Sequence, residues 1–150
     1  MTDRPATRLK APKVVRAKRG WRVSLGGRSR QVGHASEWLA ATLLMLKGYQ
    51  ILGFRLKTRA GEIDILARRR DVLAVIEVKR RKTLDLALCA LTADQYERLL
   101  TAGRAVLRQR PSLAGHQLRI DIVALAPGRF PVHRRNVTPF GGRRGDPGRR

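Results

Sequence analysis

Residues 61–82 read GEIDILARRRDVLAVIEVKRRK. Two apolar segments, GEIDILA and VLAVIEVKR, flank a basic turn. Their length and β-branched content predict two strands rather than a helix. Both faces of each are largely apolar, as in a sheet covered on both sides. Charged residues interrupt this pattern at Glu62, Asp64, Glu77 and Lys79. If Arg70 and Asp71 form a two-residue turn, Asp64 lies opposite Glu77 and Glu62 lies opposite Lys79. Opposed residues of an antiparallel pair point to one face, with Cβ atoms roughly 4.5–5.5 Å apart. Alternation then puts Lys79 on the face of Glu77.

Two such close carboxylates repel in a poorly solvated site. A divalent cation between them lets both stay ionised. Hard oxygen donors select Mg²⁺ or Mn²⁺ over Zn²⁺, and no Cys/His cluster in the chain points elsewhere. The main-chain carbonyl of Val78 could complete the ligands of Asp64 and Glu77. Such a metal polarises a phosphoryl oxygen and lowers the pKa of a bound water. Lys79 is placed to orient or deprotonate that water, or to stabilise the transition state. A basic groove would hold the nucleic-acid strand; Arg59, Arg80, Arg81 and Lys82 are its expected contacts. The competing interpretation is a structural ion network, which is weak support for stability.

Charge fits the nucleolytic interpretation. Thirty-three Lys and Arg against eleven Asp and Glu give a net charge of +22 over 150 residues. The ends are richest: residues 1–30 hold ten basic residues and one acid, and residues 128–150 hold seven and one. Like-charge runs repel and stay solvated, so both ends are expected to be flexible arms. A polyanion is the natural partner. An anionic membrane fits less well, since neither arm has an amphipathic apolar face. The longest apolar run, WLAATLLML, is too short to span a bilayer, and the single cysteine, Cys89, excludes an internal disulfide. A cytoplasmic protein is expected. Cys89 itself, in an apolar stretch, is expected to be buried and inert.

Outward from the hairpin, HASEWLAATLLMLKG predicts a well-buried helix stopped by Gly48, with Glu37 in its first turns and Trp38 in the core. YQILGFRL predicts a strand bulged at Gly53. TLDLALCAL reads as a short helix or an irregular crossing. TADQYERLLTAGRAVLRQRP predicts a helix, with capping-box spacing at Thr92 and Gln95 and a stop at Pro111. Its buried stripe is Tyr96, Leu99, Leu100, Gly103, Val106 and Leu107. QLRIDIVAL is a strand carrying Asp121, and a short strand is expected around FPVH. The core order is α-β-β-β-α-β, and a mixed sheet flanked by helices is the economical architecture. Among other residues, His34, His116 and His133 are scattered and suit surface or capping roles, while Trp21 in the basic arm could stack a base.

GHASEWLAATLLMLKGYQIL, RAGEIDILA, AVIEVKRR and RIDIVAL together resemble the small bacterial YraN-like family. The succession of Glu37, Asp64 and Glu77-Val78-Lys79 resembles the PD-(D/E)xK, restriction-endonuclease-like superfamily. The short ExK element is common by chance, but GEID with EVK behind a Gly-x-x-x-Glu helix is specific. The resemblance implies a restriction-endonuclease-like α/β fold over residues 31–127, between a basic arm at 1–30 and a basic tail at 128–150. It makes Asp64 and Glu77 metal-binding acids, Lys79 the catalytic lysine, and Glu37 a further catalytic and metal-binding acid. It leaves Glu62 without a catalytic role, and Asp121 structural or supporting the site. It also admits a homodimer. The second helix departs from the family pattern: Asp94, Gln95, Tyr96 and Glu97 stand where relatives are usually basic. The expected function is therefore a Mg²⁺-dependent DNA endonuclease that could select substrates by structure. The alternative is a nucleic-acid-binding protein with a nuclease-like fold that does not cut.

Overall fold

A computed structural model describes residues 28–139. Helix α1 spans Arg28–Leu46, and strands β1, β2 and β3 span Gln50–Thr58, Gly61–Arg69 and Val72–Arg80. Helices α2, Leu84–Leu88, and α3, Ala93–Gln109, follow. A 3₁₀ turn at Pro111–Leu113 leads to β4, Gln117–Leu125, and β5, Val132–Arg134. The five strands form one sheet in the order β1-β2-β3-β4-β5. β3 and β4 are parallel and every other neighbouring pair is antiparallel. Parallel neighbours need a long crossover, here supplied by α2 and α3. The expected α-β-β-β-α-β order is met, with α2 and β5 as additions that the sequence had also suggested. The remainder of the expected arms, residues 1–27 and 140–150, lies outside the described residues, as does Trp21.

Two apolar layers sandwich the sheet. On one face, Leu73, Val75, Ile120 and Ile122 pack against Leu99, Ala102 and Val106 of α3. On the other, Ala74, Ile76 and Val123 pack against Ala40, Ala41 and Leu44 of α1. This division follows strand alternation. α3 is fixed by the expected capping box: Gln95 N donates to Thr92 Oγ1 at 3.2 Å and Thr92 N to Gln95 Oε1 at 3.3 Å. It ends before Pro111, whose ring cannot continue a helix.

α1 begins at Arg28, ahead of the expected start near His34. Gly33, which sets that expectation, lies inside the helix and serves close packing: a Cβ there would come 3.0 Å from Arg55 Nη2. Gly48, at φ 82°, ends α1 as expected. The burial of α1 needs a correction. Trp38 is 51% exposed and Leu46 82%, with Leu39 and Met45 also in solvent. The helix packs on one side of the sheet only, so its outward face stays uncovered by the described residues. Trp38 leans on Phe54 at a centroid distance of 5.1 Å instead of entering the core. Cys89 is likewise exposed, because five-residue α2 buries only Ala87 and leaves its C-cap outside.

Candidate active site

The β2–β3 hairpin forms in the expected register: Arg69 pairs with Val72 around Arg70 and Asp71, and Ile65 pairs with Ile76. The ladder stops there. β3 instead stays with β4 over its full length, while the first half of β2 stays with β1. A fork thus opens between β2 and β3 just beyond Ile65 and Ile76. Glu62 consequently pairs with Lys57 of β1 and is exposed, rather than facing Lys79. β1 carries two irregularities beside this fork. The register shifts between Ile51 and Gly53, which is the expected bulge. Arg55 then adopts φ 48°, a left-handed conformation uncommon for a non-glycine residue. Around it, Phe54 and Ile65 face α1, whereas the next pair, Leu56 and Ile63, joins the α3 layer.

Asp64 occupies the fork. Its Oδ2 accepts the Val78 amide hydrogen at 2.8 Å, replacing the missing ladder bond. In an extended strand one residue's N–H and C=O face the same neighbour. The Val78 carbonyl therefore opens on the same gap. Burial pushes the Asp64 carboxyl up to about 6, and repulsion from Glu77 and Glu37 adds to the effect. The Val78 amide and Lys79 oppose it.

A cavity of about 190 Å³ adjoins Asp64, lined also by Gly33, Ser36, Glu37, Val78 and Arg80. α1 contributes Glu37, as its Gly-x-x-x-Glu spacing brings both residues to one side of the helix. Glu37 is nearly buried and accepts Arg55 Nε on both oxygens, at 2.8 and 3.0 Å. Glu77 and Lys79 form a separate pair: Lys79 Nζ stands 2.7 Å from Glu77 Oε1 and 3.4 Å from Gln95 Oε1 of α3. Lys79 is 7% exposed, a degree of burial that lysine tolerates only when paired. The acids thus gather around the fork without forming one cage. Glu37, Asp64 and Val78 share the cavity; Glu77 and Lys79 pair toward α3; Asp64 is coupled to both groups. Among the described residues no three His, Cys, Asp or Glu side chains are arranged to enclose a metal ion. Arg55, missed by the sequence reading, is as much a part of this site as Glu37. The signal for it was an arginine set between the apolar Phe54 and Leu56 of the strand.

Of the expected nucleic-acid contacts, Arg80 lines the cavity, Arg81 and Lys82 follow it in solvent, and Arg59 is exposed on the β1–β2 turn. His34 is exposed, while His116 Nδ1 lies 3.0 Å from the Leu113 carbonyl oxygen. The His133 side chain is only 1% exposed, against the surface or capping role expected of it. Its Nε2 lies 2.8 Å from Oδ2 of Asp121, a residue with 0% exposure. Arg119 grips both oxygens of Asp121, and the Asn136 amide donates to Oδ1 at 2.9 Å. Burial pushes the Asp121 carboxyl up, but His133, Arg119 and the Asn136 amide outweigh it and hold the group below the usual range. Arg119 also reaches the Tyr49 hydroxyl. Asp121 thus joins β4, β5 and the start of β1, a structural role.

The family model described as "Uncharacterised protein family UPF0102" matches residues 36–125, from within α1 to the end of β4. The chain belongs to this family. A UPF0102 protein of Caulobacter sp. (strain K31) is 51% identical over 120 residues, covering 80% of this chain and 86% of the relative. One from Caulobacter vibrioides (strain NA1000 / CB15N) is 50% identical over 114 residues, covering 76% and 91%. A third, from Chelativorans sp. (strain BNC1), is 46% identical over 110 residues, covering 73% and 89%. The matched UPF0102 region contains Glu37, Asp64, Glu77, Lys79 and the whole fork. It agrees with the YraN-like resemblance read from the same segments. No helix among the described residues is long and apolar enough to cross a membrane.

Proposed function

We propose that this protein is a divalent-metal-dependent DNA endonuclease of the restriction-endonuclease-like type. The observation that carries the reading is the Asp64 carboxylate in an open strand fork, tied to the Val78 amide and coupled to Glu77 and Lys79. The donors fit a hard cation: two carboxylates and a carbonyl, with neither sulfur nor imidazole. Mg²⁺ commonly takes one or two carboxylates and fills its remaining positions with water and phosphate oxygens. Asp64, Glu77 and the Val78 carbonyl would hold the ion, with Glu37 across the cavity. Bound there, Mg²⁺ or Mn²⁺ supplies Lewis-acid activation of the phosphate and of water.

The chain's own residues do the rest. The Val78 amide fixes the Asp64 carboxylate. Lys79 exchanges its contact with Glu77 for the attacking water or the developing phosphorane charge, while Gln95 limits its swing. Arg55 fixes Glu37. Arg80 reaches the phosphate next to the scissile bond, with Arg81 and Lys82 beyond it. The net charge of +22 favours a polyanion, and a DNA substrate places the protein's work in the cytoplasm.

Cleavage of branched, single-stranded and duplex DNA with Mg²⁺ or Mn²⁺ tests the reading. Activity should vanish in Asp64→Asn and fall at least 100-fold in Lys79→Ala, on the order of a lost general acid–base group. No cleavage, or full activity in these variants, refutes it. Calorimetric titration of Mn²⁺ into the parent and Asp64→Asn separates metal binding from cutting. One observation favours the rival, a binding protein that does not cut: Glu37 and Glu77 already have cationic partners. In that case DNA affinity survives Glu77→Ala and needs no metal.

A further inference from the structure

A second feature faces α3. The β1–β2 turn curls over the second half of this helix and leaves a cleft of about 680 Å³ between them. Lys57 and Arg59 come from the hairpin and Arg108 from α3; Thr58, Thr101 and Gln109 add polar groups. No carboxylate lines it, and Ala60 and Ala105 keep it wide. The turn that presents Arg59 is braced from within. Thr58 Oγ1 donates to the Gly61 carbonyl at 2.8 Å and accepts the Ala60 and Gly61 amide hydrogens at 3.2 Å. Arg55, at φ 48° and close to Asp64 on the neighbouring strand, also precedes this turn.

We propose that this cleft binds the phosphodiester backbone of a nucleic-acid strand whose neighbouring phosphate lies at the fork. The proposal rests on the nucleic-acid reading above and adds a second binding site to it. Three cations from two elements, with no acid in the lining, select an anion that can touch both walls. A chain of phosphates does so. Gly61 and Asp64 lie on one strand about 10 Å apart, at roughly 3.3 Å per residue. That separation is short enough for phosphates close together on one strand to reach both sites. The cleft also supplies the basic groups that the acidic start of α3, with Asp94 and Glu97, does not.

Binding of a fluorescent single-stranded oligonucleotide, measured in EDTA across a salt series, tests the proposal apart from catalysis. Each phosphate that the protein no longer neutralises lowers the log–log salt slope by about 0.7, so Lys57→Ala/Arg59→Ala/Arg108→Ala should make it shallower by about 2. The control Lys47→Ala/Arg70→Ala/Arg129→Ala removes equal charge from exposed sites outside the cleft and should change the slope far less. All six side chains are exposed, and thermal melting checks that both variants fold. Equal slope changes in the two variants, an unchanged slope in the first, or no salt-dependent binding by the parent overturns the proposal. Metal-dependent cutting is read separately. Cutting with a cleft-independent slope refutes the cleft alone, and a cleft-dependent slope without cutting refutes the nuclease alone.

Discussion

Replacing Asp64 by Asn should make the protein more stable at neutral pH. The asparagine keeps an oxygen for the Val78 amide but loses the charge that burial and Glu77 disfavour. The parent carboxyl rises from the ordinary 3.8 to about 6 on folding. Below the unfolded value it is protonated in both states and carries no penalty. As pH rises from 3.8 to 6 the folded state holds the proton that the unfolded state has released, so stability falls. Above 6 the full penalty applies, with a ceiling of about 3 kcal/mol for this shift. The carboxyl is only half-buried, and screening by water brings the expected gain to about 1–3 kcal/mol. Urea unfolding of parent and variant at pH 4, 5, 6 and 7 in EDTA should show curves that nearly coincide at pH 4 and separate by pH 7. Mn²⁺ should then stabilise the parent by about 2.7 kcal/mol at a hundredfold excess over Kd, and the variant far less. A pH-independent difference, or a variant less stable at pH 7, would refute the electrostatic account of the fork.

Three other outcomes are expected. Asp121→Ala strips the buried acceptor from Arg119, His133 and Asn136 and should cost about 3–5 kcal/mol in denaturant unfolding. Because its folded pKa is depressed, the Asp121 contribution is present above its unfolded pKa and disappears as pH falls through the folded one. Trp38→Ala should cost under about 1 kcal/mol, whereas Leu44→Ala, fully buried one helix face away, should cost about 2–5 kcal/mol; similar losses by thermal melting would contradict the one-sided packing of α1. Thr92→Ala should cost about 1 kcal/mol and free Gln95 from the cap. If Gln95 limits the swing of Lys79, DNA cleavage by this variant should fall while oligonucleotide binding in EDTA is unchanged.

The hairpin was legible because its information is local. Arg70 and Asp71 set the turn, and the turn sets the register, down to the Ile65–Ile76 pair. Capping at Thr92 and Gln95 and the stop at Pro111 are local in the same way. The fork was not legible. Whether β3 continues with β2 or leaves it depends on β4, which lies beyond two helices in the chain, and on a left-handed Arg55 that few residues adopt. The exposed face of α1 was misread for a related reason. An apolar stretch marks a helix that can be buried on all sides, but only the number of layers around it decides whether it is.

By itself, the sequence determined the strands and helices, the turn between β2 and β3, the basic character of the chain, and the presence of acids and a lysine where a sheet should be apolar. These follow from periodicity, turn chemistry and charge, which act over a few residues. The tertiary structure alone decided that Asp64 binds the Val78 amide, that Arg55 holds Glu37, that Asp121 and His133 seal the β4–β5 edge, and that the β1–β2 turn forms a cleft with α3. Each joins residues far apart in the chain or in different elements. Their meeting depends on where two strands part company, and no short stretch of sequence contains that.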